Sequence, residues 1–274
     1  GLLSLIAIRA GAASVDCIEM NPVLAQTAQA TLASSRRPSE KDVSVTVWNC
    51  ISMDLSIDPT GKVGPTALAD LLVSEVLDTG LVGEGCLHSM RDASRRLLRT
   101  GAVMIPAAAT VYVMMVQVIS PEQPDSTSLA ALDSLREGYS PLRLHTVNHV
   151  KLSSAVAVMR FDFGNLSDQV GGEVKLTLSA LRRGTCNAVA WWFDLHLDEE
   201  NTLSCAPGAT VRTWKQNIVY LLEPLSVDCG TNVEVLVRNS KDDNVHVYAG
   251  APGCTDRRVR GEHWAPGQTR IDFK

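Results

Sequence analysis

Three carboxylates crowd one short stretch of this 274-residue sequence: Glu75, Asp78 and Glu84, within SEVLDTGLVGEG at positions 74–85. Gly80, Gly83 and Gly85 interrupt the stretch and let the backbone bend sharply enough to turn the acids one way. Like charges held close raise one another's pKa unless a cation compensates them. The pattern alone leaves three readings. Hard oxygen ligands suit magnesium or calcium. A planar guanidinium matches paired carboxylates in a bidentate manner. Water suffices if this is an ordinary acidic surface loop. Glu19 is a further acid placed for chemistry. It closes the stretch SVDCIE, and an acid at the end of a parallel strand can accept hydrogen bonds from ribose hydroxyls.

The elements that must carry these residues alternate at first. Leu2 to Arg9 reads as an apolar helix stopped near Gly11, and Ser14–Glu19 as a short strand. Asn21 is placed to cap the next helix, with Pro22 in its first turn. Val43–Trp48 is β-branched and reads as a strand; Ala69–Glu75 is a continuous apolar run, as in a central parallel strand covered on both faces. Leu87–Leu98 is amphipathic, with Arg91, Arg95, Arg96 and Arg99 expected toward solvent, and Ala102–Ile105 is another strand ended by Pro106. This rhythm predicts a doubly wound parallel sheet, whose ligands sit beyond the C-terminal strand ends. After Pro106 the pattern becomes strands: Ala109–Val118, Ala155–Phe163, Glu173–Leu181, Ala188–Leu197, Gln216–Leu222 and Asn232–Val237. Val174, Leu176 and Leu178 alternate with polar residues, so that strand has one wet face. An antiparallel barrel or sandwich is expected there, with an irregular arm at about 120–152.

Other chemically capable residues carry weaker signals. His145 and His149 have the i,i+4 spacing of helical metal ligands, but their valine-rich surroundings suit strand or loop. Trp191 and Trp192 alternate in a strand and so face opposite ways, as core residues do. Cys50, Cys86 and Cys186 lack an evident paired histidine. The run RRLLR reads as a solvated helix face, and the RRG at 182–184 as a hairpin turn. The net charge of −5 argues against a general nucleic-acid binder. The seven cysteines form no CxxC pair, which suits free thiols in a reducing compartment, cytoplasmic or nuclear. No apolar run reaches the ~18 residues of a membrane span. The first residues, GLLSLIAIRAGAA, lack the basic start of a signal peptide.

SEVLDTGLVGEG resembles the double-glutamate loop of the protein arginine methyltransferases, with Glu75 and Glu84 nine apart as in that loop. LDT and GEG point toward the protein arginine methyltransferase 7 class, with class 9 second. The resemblance runs through nearly the whole chain in family order. GLLSLIAIRAGAASVDCIE is similar to the end of the cofactor motif with its helix and strand, and VMIPAAATVYVMMVQ to the crossing from sheet to barrel. AVAWWFDLHLD and RTWKQNIVYLLEP are similar to barrel segments. The resemblance implies a Rossmann-like S-adenosylmethionine-binding domain over residues 1–106, incomplete at its N-terminus, and a substrate-binding β-barrel over 107–274. It implies methyl transfer from S-adenosylmethionine, without a metal, to guanidino nitrogens of protein arginines such as those of histones or RNA-binding proteins. Glu75 and Glu84 would grip the guanidinium. Asp78 and Trp214 would shape the substrate pocket, and Gly1, Glu19, Met53 and Asp54 would face the cofactor. Dimer or tandem-module pairing, with no direct nucleic-acid or membrane partner, is implied too.

Three positions depart from the family pattern. Of the glycine-rich cofactor stretch only its last member, Gly1, is present, and an N-terminal truncation is the expectation. The threonine-histidine-tryptophan element appears as Arg212-Thr213-Trp214, so Thr213 stands where an imidazole is usual. Gly80 stands where close relatives often carry another acid. The missing glycine stretch and Thr213 keep open a catalytically inactive scaffold with the same fold, which the two retained glutamates disfavour; a third reading, a small-molecule methyltransferase with an appended barrel, is disfavoured by the double-glutamate spacing.

Overall fold

The computed structural model describes residues 1–119, 140–166, 172–239 and 245–252, which form two compact units. The first unit holds α1 (Leu2–Arg9), β1 (Ser14–Ile18), α2 (Pro22–Ser35), β2 (Ser44–Trp48), β3 (Ala69–Val73), nearly all of α3 (Cys86–Arg96) and β4 (Leu98–Ile105). Its local rules are the expected ones. The Asn21 side-chain oxygen accepts from the Val23 and Leu24 N–H groups at 2.9 and 3.3 Å, and Pro22 opens α2. Helix α1 ends where the Ala12 N–H reaches back to the Ala7 carbonyl, around a left-handed Gly11.

Strands β1 and β2 pair in parallel from Ser14↔Ser44 to Ile18↔Trp48. Val15, Val45 and Val47 pack on Leu5, Ile8 and Leu32 of α1 and α2. Ile18 and Trp48 join a second cluster with Leu55, Leu72 and the α3 residues Ala93 and Leu97. Helices therefore line both faces, the layering of a doubly wound fold. The sheet itself differs from expectation. Strands β3 and β4 form their own parallel pair, with no hydrogen-bonded ladder joining it to β1–β2. The expectation that residues 69–75 are covered on both faces is also corrected. Leu71 and Val103 are register partners on one face, and they are 42% and 57% exposed.

The second unit holds residues 76–86 and strands β5 (Ala108–Val118), β6 (Ser140–Leu142), β7 (His149–Lys151), β8 (Val156–Asp162), β9 (Glu173–Ser179), β10 (Gly184–His196), β11 (Thr202–Ser204), β12 (Gln216–Val227), β13 (Asn232–Asn239) and β14 (Val245–Gly250). A seven-stranded antiparallel sheet runs β6-β12-β10-β5-β7, with β11 added to β10 and β8 to β5. A second sheet runs β14-β13-β9. The expected closed barrel is thus replaced by two open sheets: β13 takes β9 and β14 as partners instead of closing the larger sheet. The outer strands β6 and β7 are three residues each, and β6 contains Pro141, both features that discourage edge pairing.

Two connections also differ from the sequence reading. Arg182-Arg183-Gly184 is not a hairpin turn, because β9 pairs with β13 whereas β10 pairs with β5 and β12. The segment links the two sheets instead. The first part of the expected arm, 120–139, lies outside the described residues, and the remainder adds β6 and β7 to the sheet. Within β10 a register shift lies between Cys186 and Ala188. Asn187 turns this irregularity to use: its amide accepts from the Val118 N–H and donates to the Val118 carbonyl, both at 2.8 Å, closing the end of β5.

Candidate active site

The acidic loop is built on the second unit from residue 76 onward. Leu77, Gly80, Leu81 and Val82 are buried, so an apolar run that looked like a surface turn acts as a plug. Leu81 adopts a left-handed conformation, φ 71°, which non-glycine residues avoid unless surrounding contacts hold them there. Those contacts are explicit. The Leu81 N–H donates to the Asp78 carbonyl at 2.9 Å, and the Gly83 N–H donates to the Asp78 carboxylate at 3.1 Å. The buried Cys86 thiol donates to the Leu81 carbonyl. Two side chains from the start of β12 and the turn before it fix the outer carbonyls: the Trp214 indole N–H donates to Leu77 at 3.1 Å, and the Asn217 amide donates to Thr79 at 2.7 Å. Trp214 is 7% exposed and its ring lies 5.5 Å from that of Phe193. Glu84, two residues past the plug, is exposed. Glu75 is exposed too and follows β3 in the first unit.

The residues expected to face a nucleoside all belong to the first unit. One Glu19 carboxylate oxygen accepts from the Asn21 N–H at 2.8 Å. The Asn49 amide ties the Glu19 and Met20 carbonyls at 2.9 and 3.1 Å, joining the loops that follow β1 and β2. Met53 and Asp54 lie exposed in the single turn Ser52–Asp54. That turn is held by Arg96, corrected here from a solvent-facing residue. Its guanidinium pairs with Asp92 at 2.5 Å and donates to the carbonyls of Leu55 and Met53. Arg91 is half-buried rather than fully solvated. Gly1 caps α1 against Ala28, where a Cβ would stand 3.2 Å from the Ala28 Cα. A half-buried Glu19 and an exposed Asp54 and Met53 beyond two parallel strand ends suit a ribose and a flat base.

The remaining candidates go elsewhere. Trp191 and Trp192 are both buried, the latter stacked on Tyr112 at 6.0 Å. His145 lies in the single turn Leu144–Thr146, and His149 in β7 bonds the Val147 carbonyl. Among the described residues no group of three or more His, Cys, Asp or Glu is arranged to hold a metal. Burial and Asp54 push the Cys50 thiol up, and burial raises Cys186 to about 11, so both stay protonated near neutrality. No helix among the described residues is long and apolar enough to cross a membrane.

Residues 108–248 match the arginine methyltransferase oligomerization subdomain, which is just over half of the chain. The chain belongs to the arginine methyltransferase family. An arginine N(omega)-methyltransferase of Streptomyces achromogenes subsp. streptozoticus is 33% identical over 84% of this chain and 63% of its own length. Protein arginine N-methyltransferase 7 of Caenorhabditis briggsae is 27% identical, over 88% of this chain and 39% of its own. The Drosophila yakuba protein of that name is 31% identical, over 76% and 32%. The chain therefore spans less than two thirds of the length of the curated arginine methyltransferases it matches. The solved Trypanosoma brucei PRMT1 enzyme-prozyme heterotetrameric complex with AdoHcy shares the fold, with a TM-score of 0.69 at 16% identity over 93% of this chain and 82% of that one.

In this member of the family, sequence reasoning missed Asn217 and the inward turn of Arg96. Asn217 follows Gln216 as the second polar residue at the start of β12, just before the apolar IVYLL, which was its available signal. The Asp78–Gly83 brace gives a direct test. A Cβ on Gly83 would stand 2.5 Å from an Asp78 carboxylate oxygen, so Gly83→Ala must displace that carboxylate. The expected result is a near-parental melting temperature with methyl transfer reduced roughly 10-fold or more, read by kinetics, since small misplacements near reacting groups cost up to about 100-fold.

Proposed function

We propose that this chain is the catalytic part of an arginine N-methyltransferase that uses S-adenosylmethionine as methyl donor. The observation that carries the reading is the family's double-glutamate loop, kept with both carboxylates nine residues apart. The exposed Glu84 follows a plug fixed by Trp214 and Asn217, and this supports a poised loop. Residues 1–106 serve as the cofactor domain and 107–274 as the substrate domain, and pairing of copies or tandem modules accords with the oligomerization match.

The co-substrate supplies an electrophilic methyl carbon on a sulfonium, whose sulfur keeps the C–S electron pair as the new N–C bond forms. The protein does the rest. Glu19 accepts the ribose hydroxyls and Asp54 the adenine amine, while Met53 packs on the base. Glu75 and Glu84 hold the guanidinium, turn one terminal nitrogen toward the methyl carbon and keep electron density on it. They also take up the proton shed after transfer. Positioning of this kind supplies about 7–11 kcal/mol in well-oriented reactions, and fixed carboxylates stabilise the charge left behind. Protein arginine is the proposed substrate, in cytoplasm or nucleus. Free arginine is the second reading, favoured by the name of the Streptomyces relative.

The test supplies methyl-labelled S-adenosylmethionine together with an arginine–glycine peptide or free L-arginine, and follows product by mass spectrometry. Label on the peptide supports the proposal, and label on free arginine alone moves it to the second reading. No label on either, from this chain and from any longer product of its gene, leaves an inactive scaffold.

A further inference from the structure

We propose that Asn217 is a positioning residue for the reaction: its side-chain amide sets the loop that presents Glu84. The inference rests on the methyltransferase reading above. Asn217 is fully buried at the start of β12, directly across from Trp191 on β10 and Pro141 on β6. An amide in such a place is costly unless its polar atoms are used. Its Nδ2 is used, donating to the Thr79 carbonyl at 2.7 Å, while its Oδ1 is buried with no hydrogen-bond partner. The orientation is chemically fixed. Flipping the amide would set Oδ1 against the Thr79 carbonyl, acceptor against acceptor. The sheet gains little from this arrangement, since an apolar side chain of the same size would fill the site without an orphaned oxygen. The beneficiary is the loop.

Thr79 is the middle of the turn whose next residues are the buried Gly80 and the left-handed Leu81. With the Leu77 carbonyl held by Trp214, the Asn217 bond supplies the second fixed point on the same turn. Two anchors prevent the turn from pivoting about one. The internal bonds from Leu81 to Asp78, Val82 to Gly80 and Gly83 to Asp78 then carry that fixed geometry to Glu84. Asn217 touches neither substrate nor cofactor; it acts through the loop backbone.

The decisive variant is Asn217→Leu, near in size and free of the orphaned oxygen. It is expected to melt at or above the parental temperature yet lose about 100-fold in kcat/KM, the scale of a misplacement near 1 Å. Binding of S-adenosylhomocysteine is expected to stay parental, because Glu19, Met53 and Asp54 lie in the other unit. Amide hydrogen exchange gives a readout independent of turnover: the Leu81, Val82 and Gly83 amides should exchange faster while β10 and β12 hold parental rates. Asn217→Asp, which keeps the shape and faces oxygen to oxygen, should behave alike, and Asn217→Thr, which retains a donor, should recover part of the rate. Parental kcat/KM and loop exchange in Asn217→Leu would overturn the inference, as would a fall in melting temperature with faster exchange across β10 and β12. If the parent itself transfers no methyl group, the underlying reading fails, and loop exchange still decides whether Asn217 holds the turn.

Discussion

Glu84→Gln, and separately Glu75→Gln, are expected to cut methyl transfer by at least about 1,000-fold while leaving the melting temperature parental. Each change is isosteric and alters only charge and hydrogen-bonding sense. Both side chains are exposed, and surface substitutions of this kind usually change stability little. A guanidinium presents donors alone, and an ionised carboxylate presents acceptors alone, so two carboxylates fix its plane and direction. A glutamine sets an NH2 against an N–H and loses half of that match. Removing one partner of a charged, hydrogen-bonded pair costs roughly 2–5 kcal/mol, or about 30- to 5,000-fold. Loss of a preorganised electrostatic contact to the transition state costs about 100- to 1,000-fold in comparable sites. The two effects act on the same step, which places the expected loss at the upper end. Steady-state kinetics with an arginine peptide measures it, and S-adenosylhomocysteine binding should be unchanged. A variant at either position with more than a tenth of parental kcat/KM would remove the carboxylate pair from the mechanism.

The parts of the fold governed by short-range rules were legible. Asn21-Pro22 announced α2, and the β-branched run at 43–48 announced β2. Strand alternation at Val174, Leu176 and Leu178 is matched by their greater burial. What depends on partners distant in sequence was not. Whether β13 closes the large sheet or turns to β9 is decided by packing across about 60 residues, and no local pattern encodes it. The RRG segment has turn composition, but composition cannot tell a hairpin from a crossing between sheets. Arg96 looks like a solvated member of a basic face until Asp92, one turn earlier, and the carbonyls around Leu55 are seen to surround it. The acidic cluster at 75–84 was visible in sequence as charge density, but its type and spacing left its partner open, and only the family resemblance pointed to a guanidinium. Of the two side chains that anchor the loop, Trp214 was named by resemblance, whereas Asn217 was not legible because it and Thr79 stand 138 positions apart. Loop 77–82 misled for a related reason: glycine and acid content suggests solvent, whereas its leucines and valine are core.

Phe193→Ala is expected to destabilise the second unit by about 3–5 kcal/mol, the usual cost of truncating a buried phenylalanine. Phe193 is fully buried in β10, the strand flanked by both β5 and β12 at the centre of the large sheet, and it faces Val111 across the ladder. A cavity there is hard to refill, because its neighbour Val111 is held in register on β5. The tilted ring pair with Trp214 adds about 0.5–1.5 kcal/mol beyond buried area. Against a typical total of about 5–15 kcal/mol, such a loss lowers the denaturation midpoint sharply, as tryptophan fluorescence would report. Phe193→Leu separates the two contributions. Leucine restores most of the volume, so stability should recover to within about 1.5 kcal/mol of the parent. The ring that fixes Trp214 stays absent, and the indole's bond to the Leu77 carbonyl loses its backing. Activity in Phe193→Leu should therefore remain low when stability has returned. If the two recover together, Trp214 is held by the sheet at large and Phe193 contributes only volume.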